Sequence, residues 1–516
     1  MLRPSRRQLL TGSAALSAAL FLPALSRANT RPLLTHGLQS GDIAHDSAVI
    51  WARADREAWM HAEWSTTESF ANATRVPRLA LGEPTDFTGK LLLAGLPAGQ
   101  DIFWRVTMTD LADLNAVSEP LVGHFRTAPM GLRDITFLWS GDTAGQGWGI
   151  DEARGGMRIY ETMLGHAPDF FLHSGDTIYA DGPMKPEVEL PDGTIWKNLL
   201  IEEKTKVAET LGEFRGQYLY NLMDSHLRAF NAAVPMLAQW DDHETTNNWY
   251  PNKILAADDR YQVKQASLLS ARAARAFHEM MPTRSPAEEP YRVYRKVSYG
   301  PLLDLFFIDM RTYRADNGDN SQTEEGPETV FLGAEQLRWL KEGLAASRAT
   351  WKIIAADMPI GLIVYDDFRN QRGSEAIAQG DGPALGRELE IANLLSFIKH
   401  ARVNNVVWLT ADVHYTAAHH YSPDRAQFQD FTPFWEFVSG PLHAGTFGPN
   451  PLDNTFGPEV RYVKAPQPGQ VNLPPSAGLQ FFGKVEIAAQ TGLMTVSLLD
   501  VGNNVLWSTE LAPEPA

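Results

Sequence analysis

Apolar and polar positions along the chain fall into two regimes. From about residue 33 to 129 the apolar residues alternate with polar ones in short runs, SAVIWARA, MHAEWSTT, FTGKLLLAGL and DIFWRVTMTD, with turn residues between them. Regular short strands of this kind predict an all-β, immunoglobulin- or fibronectin-like sandwich. From residue 131 to about 510 the runs become nearly continuous and alternate with helical spacing, the pattern of an α/β domain. Its opening unit is the strand DITFLWS, a helix-like stretch from Glu152 to Gly165, and the strand DFFLHS. Further helices are expected at Leu199–Ala232, Asp258–Met281, Gly333–Ala349 and Gly386–Ala401. Further strands are expected at PMLAQW, YRVYRKVSYG, LLDLFFIDM, TWKIIAADMP, NNVVWLTA and WEFVSG. The late runs FGKVEIAA, LMTVSLLD and VLWSTEL read as edge strands of a second sheet. Residues Tyr365 to Pro383 are polar and Gly-rich, which predicts a site loop.

The strand ends carry the chemistry. The two opening strands run into Gly141-Asp142 and Gly175-Asp176, where glycine lets the chain turn sharply as it leaves the sheet. In open α/β sheets, ligands bind at the carboxyl ends of the strands. Carboxylates converging there repel one another unless a cation sits between them, so a metal is expected. Three later strands end in the same way, at Asp242 with His243, at Asp357, and at Asp412 with His414. One such Asp is a common strand end; five on successive strands supply enough O and N donors for a two-metal site.

Composition narrows the partners. A chain of 516 residues exceeds one ordinary core, and two domains, or one large decorated one, are expected. The formal charge of −17 argues against nucleic acid or an anionic membrane surface as the main partner. With no Cys there is no disulfide, no thiolate ligand and no cysteine nucleophile. No Gly-x-Ser-x-Gly elbow is present either, which leaves a serine-hydrolase reading without support. Residues 1–28 read as a signal peptide of the twin-arginine type. Ser5-Arg6-Arg7-Gln8-Leu9-Leu10 precedes a short apolar stretch that ends in Ser26-Arg27-Ala28. Transfer by the twin-arginine machinery to the periplasm or beyond, with no stable membrane span, follows as an expectation.

The order Gly-Asp, Gly-Asp-x-x-Tyr, Asp-Asp-His-Glu, Asp-x-Arg-x-x-Arg and Asp-Val-His resembles the alkaline phosphatase D (PhoD) family of metallophosphoesterases, relatives of the purple acid phosphatases. The opening THGLQSGDIAHDSAVIWAR is similar to that family's N-terminal β-sandwich, and Asp381-Gly382 with Arg387 to its later Gly/Arg motif. The resemblance implies a four-layer catalytic sandwich flanked by helices. It also implies hydrolysis of phosphate monoesters, with diesters or a phospholipase-like substrate as the alternative on the same site. A non-catalytic binding protein on this fold is the remaining alternative, disfavoured by the near-complete ligand set. One departure stands out: the family's Ser-Cys-Gln at the first strand end, with a Cys on ferric iron, is here Ser140-Gly141-Asp142.

Ligand chemistry combined with the resemblance implies the roles. Asp142, Asp176, Tyr179 and His414 would hold metal 1, with Fe³⁺ suited to a phenolate. Bridging Asp176 with Asp242, Asp357, Asp412 and Asn248 would hold metal 2, whose oxygen donors suit Ca²⁺, Mn²⁺ or Mg²⁺. His243 would protonate the leaving alkoxide or hold a phosphate oxygen after hydroxide attack, and Arg311 and Arg387 would bind phosphate oxygens. Blander readings compete: Tyr179 as a buried aromatic, Asp357 as a salt-bridged strand end, His243 as a core histidine, and Arg311 as a partner of Asp309 or Asp316. His173 reads as packing, and His419-His420 as loop residues.

Overall fold

The computed structural model describes residues 31–367 and 369–515, so the expected signal peptide at 1–28 lies outside the described residues. A nine-stranded sheet has at its centre the parallel strands Ile135–Ser140, Phe170–His173 and Met236–Ala238. A seven-stranded sheet has at its centre the parallel strands Leu303–Phe307, Trp351–Ala355, Val406–Thr410 and Phe434–Val438. Alternation along the strands explains why these sheets stack. Phe137, Trp139, Phe170 and Leu172 point inward to Leu305, Phe307, Ile353 and Leu409 of the other sheet. Leu138 and Phe171 point outward, under helices Ile159–Leu164, Leu211–Asn221, Ser225–Ala233 and Ala266–Met280. Phe306, Ile354 and Trp408 point outward on the other side, under helices Ala334–Ala346 and Glu388–His400. The result is the expected four-layer α/β/β/α sandwich.

The N-terminal region is built of strands, as its alternation predicts, and it packs against the catalytic sheets. Strands Leu34–Gly41, Ser47–Ala54 and Thr88–Ala94 extend the nine-stranded sheet, joined through the parallel pair Gly41↔Met236. The second N-terminal sheet is built on Ala58–Ser65, Asp101–Asp110 and Leu121–Arg126, and its inward residues Trp104 and Val106 share one core with the catalytic strands.

Two expectations about elements change. The helix read across Leu199–Ala232 is two helices, because Asp224 accepts from the backbone N–H groups of His226 and Leu227 and caps a new start. The late strands Phe481–Ile487, Met494–Asp500 and Val505–Leu511 extend the first sheet, not a second one, with Gly483 paired to Trp139. No helix among the described residues is long and apolar enough to cross a membrane.

Candidate metal centre

Both sheets direct the carboxyl ends of their parallel strands to one place. From the first come Asp142, Asp176, and Asp241-Asp242-His243; from the second come Arg311, Asp357, and Asp412 with His414. The chain reverses sharply at these ends. Asp142, Asp176, Asn248, Asp412 and His414 have φ of 69°, 51°, 52°, 65° and 60°, a left-handed conformation that Asp, Asn and His tolerate better than other side chains. The two Gly-Asp turns are tied together, Asp142 N–H to the Gly175 carbonyl at 3.2 Å and Thr143 N–H to the Asp176 carbonyl at 2.8 Å. Buried Glu244 braces the loops by accepting from the backbone N–H groups of Thr177 and Asp241 at 2.6 and 2.8 Å.

Three groups of donor atoms lie close enough to share an ion: Asp142, Asp176 and His414; Asp176, Asp242 and His243; and Asp241, Asp242 and Asp412. Asp176 belongs to the first two and Asp242 to the last two. Both carboxylate oxygens of Asp142, Oδ2 of Asp176, Oδ2 of Asp241 and Oδ1 of Asp242 are buried with no hydrogen-bond donor among the described residues. Burying so many carboxylate oxygens without a protein donor is costly. Burial, reinforced by Asp412, pushes Asp142 well above the usual carboxylate range. Burial with Asp242 and Asp241 does the same to Asp176, and burial with Asp241 to Asp412. Asp242 ends below its usual range: burial opposes its charge, but His243 and Arg311 outweigh it. A cluster that cannot hold its own negative charge fits a multivalent cation. The residues present therefore fit a metal centre.

The two histidines are set for different work. His414 Nδ1 donates to the Gly445 carbonyl, which can only accept, so Nε2 carries its lone pair toward Asp142, 3.5 Å away. Burial pushes this ring down to about 4, which keeps it neutral as a ligand must be. His243 Nδ1 is 2.7 Å from Asp181 Oδ1, and Asp181 Oδ2 accepts from Asn247 N–H at 2.8 Å. Burial works against charge on this ring, yet Asp181 and Asp242 push it up to about 10. His243 Nε2 is close enough to Asp176 and Asp242 to join a cation, but the Asp181 pairing and the resulting charge favour a ring that holds a proton. Tyr179 is buried against both histidines. Its hydroxyl is 2.8 Å from His414 Nε2, and its ring lies 4.4 Å from that of His243, tilted by 30°. A Cβ on Gly145 would stand 2.3 Å from the Tyr179 ring. Gly145→Ala should therefore displace Tyr179 and cost roughly 1–3 kcal/mol, read as a lower unfolding midpoint.

Several expectations are corrected here. Arg387 does not face the cluster; its terminal nitrogens are spent on the carbonyls of Ser374, Glu375, Ala376, Ala315 and Asp316 and on Asn317 Oδ1, which pins the Gly-rich loop. Arg311 does reach the cluster, but as a fully buried counter-ion. Its Nε donates to Asp241 at 2.7 Å and lies 3.3 Å from Asp357, and Nη1 pairs with Glu375. Its Nη2 is ion-paired with Asp241 but has no hydrogen-bond partner among the described residues and lies 3.9 Å from Asp412, so one donor still faces the cluster. Asp357 lies outside the three groups, yet its Oδ1 is buried without a partner among the described residues, as theirs are; burial pushes it up to about 6 and Arg311 opposes. Asn248 is half-buried at the rim and donates its backbone N–H to Asp242 at 2.6 Å. His173 bonds Thr143 Oγ1 at 3.0 Å within the core, and His419 is a strand residue 2.9 Å from Glu436. Asp241, Asp181 and Glu375 were missed. For Asp241 a signal existed, its place in Asp-Asp-His-Glu; Asp181 and Glu375 carry none beyond being acidic.

Two facing mixed sheets with helices outside and a buried Asp/His cluster at the strand ends define a metallophosphoesterase-type fold. Solved structures agree on that fold. A structure of PhoD matches with a TM-score of 0.68 at 20% identity, covering 94% of this chain and 90% of that one. Purple acid phosphatase PPD1 from yellow lupin (Lupinus luteus) seeds matches with a TM-score of 0.55 at 12% identity, covering 94% and 74%. The chain belongs to the PhoD-like phosphatase family, whose model matches residues 137–498, with the family's N-terminal domain at 18–129. Alkaline phosphatase D of Bacillus subtilis (strain 168) is 30% identical over 298 residues, 56% of this chain and 48% of that protein. The matched region thus spans about half the length of that curated relative.

Proposed function

We propose that this protein is an exported, metal-dependent phosphatase that hydrolyses small phosphate monoesters, with activity on diesters as the variable to measure. The observation that carries this reading is the set of buried, unpartnered carboxylate oxygens converging with His414 at the strand ends. Asp142, Asp176, Tyr179 and His414 would hold one cation, Fe³⁺ by the hardness of a phenolate and carboxylate set. Asp176, Asp242, Asp412 and Asp241 would hold a second, with Asn248 at the rim, where oxygen donors favour Ca²⁺, Mn²⁺ or Mg²⁺. When bound, such a pair supplies Lewis acidity and an activated water for attack on phosphorus.

The chain's own part is positioning and proton supply. Asp181 holds His243 by Nδ1 and leaves Nε2–H for the leaving oxygen. Arg311 balances Asp241 and Asp357 beneath the cluster, so that the carboxylates can stay ionised around cations. Export through the twin-arginine route, with a periplasmic or secreted location, belongs to the same proposal and rests on the Arg6-Arg7 segment. Turnover of 4-nitrophenyl phosphate against bis(4-nitrophenyl) phosphate tests the substrate class. The monoester should be turned over at least as well as the diester. A clear diester preference would replace the monoesterase reading with a phosphodiesterase on the same site, and no turnover of either would remove the phosphatase reading.

A further inference from the structure

A separate cavity lies toward the N-terminal flank of the first sheet. It measures about 640 Å³ and is lined by Asp42, Val49, the Lys90–Leu92 run, Thr283, Arg284, and the strand around Arg295. It opens three strands along the sheet from Met236–Ala238, roughly 14 Å away at the usual strand spacing, and shares no residue with the metal centre. Its charge is opposite to that of the molecule. In a chain of net charge −17, five basic side chains line it, Lys90, Arg284, Arg292, Arg295 and Lys296, against one carboxylate, Asp42.

Three of the five are matched locally: Arg295 to Asp42 at 2.7 Å, Lys296 to Asp304 at 2.7 Å, and Arg292 to Glu289 at 3.2 Å. The other two are not. Lys90 donates to the Thr283 carbonyl at 2.9 Å, and Arg284 to the Asp42 carbonyl and Ser47 Oγ; among the described residues neither side chain forms an ion pair. Thr283 is 2% exposed and its hydroxyl has no partner among the described residues, and Arg292 Nε is likewise buried and unpartnered. Around these donors the wall is apolar, with Val49, Leu92, Tyr294 and Val297. Burial, with Arg295 adding to it against Asp42, pushes the Lys90 ammonium down to about 8, so a counter-charge would be favourable there.

We propose that this cavity binds a small amphipathic organic anion, its acidic head on Lys90, Thr283 and Arg292 and its apolar body along Val49 and Leu92. Buried donors without acceptors select for an anionic head, and the apolar wall selects against a bare inorganic ion. The ligand would sit where the N-terminal strands meet residues 283–298, so binding would also tie these two parts of the chain together.

Isothermal titration of the full chain with octanesulfonate, which a phosphatase cannot hydrolyse, tests this. Sulfate and octyl glucoside supply the head and the tail alone. Octanesulfonate should bind, and each half-ligand should bind at least roughly tenfold more weakly. Lys90→Met and Thr283→Val should each weaken octanesulfonate binding, Lys90→Met by roughly tenfold or more, while turnover of 4-nitrophenyl phosphate stays unchanged. Unfolding midpoints of both variants distinguish a lost contact from a lost fold. Absence of binding, affinity unchanged in both folded variants, or octyl glucoside binding as tightly as octanesulfonate would each overturn the proposal.

Discussion

Asp176→Asn is expected to lose both cations together and to reduce phosphatase turnover by roughly 10³-fold or more, several kcal/mol of transition-state stabilisation. Asp176 is the one carboxylate assigned to both proposed cations, since it groups with Asp142 and His414 on one side and with Asp242 on the other, and its Oδ2 is buried without a donor. Asparagine keeps the shape and tolerates the left-handed φ of 51° at this turn. It also keeps an acceptor for the backbone N–H of His243, now 3.1 Å from Oδ1. The fold should therefore survive while the charge and one donor oxygen are lost. Circular dichroism, metal content and turnover of one preparation read all three. Retention of one cation at full occupancy would show that another residue bridges, with Asp242 the next candidate, since it too belongs to two groups.

His243→Ala should behave differently: both cations stay, and turnover falls by roughly 10²–10⁴-fold. The loss should be greatest for alkyl phosphates and shrink for 4-nitrophenyl phosphate, whose leaving group needs little protonation. Asp181→Asn should show the same leaving-group pattern with a smaller loss, because Asp181 acts only through the ring it holds at 2.7 Å. Loss of a cation from His243→Ala would instead make His243 a ligand, as its closeness to Asp176 and Asp242 allows. An equal loss for good and poor leaving groups would make it a binding residue.

What was legible in the sequence followed from local physics. An apolar run of strand length that breaks at Gly-Asp says where a strand leaves the sheet, and this locates Asp142 and Asp176 without any knowledge of contacts. Asp-Asp-His-Glu and Asp-Val-His at other strand ends were legible for the same reason. Long-range pairing was not. Arg387 sits in a motif that suggests phosphate binding, but nothing local reveals that backbone carbonyls consume its donors. Local sequence offers Arg311 the partners Asp309 and Asp316; Asp309 does accept its backbone N–H, at 3.0 Å, while the guanidinium reaches Asp241, Asp357 and Glu375 across the two sheets. Asp181 follows Tyr179 by two residues, and its importance appears only when the chain brings His243 to it. Strand order was hidden likewise: the alternation of the last three strands fixes their faces, but not that Gly483 would lie against Trp139 in the first sheet.

The central claim is that the converging carboxylates and His414 exist to hold cations. Elemental analysis of the protein purified without chelators tests it most directly. Two cations per chain are predicted, one of them iron, with a tyrosinate–iron absorption band that disappears in Tyr179→Phe. Full phosphatase activity in protein that carries no bound metal would contradict the account.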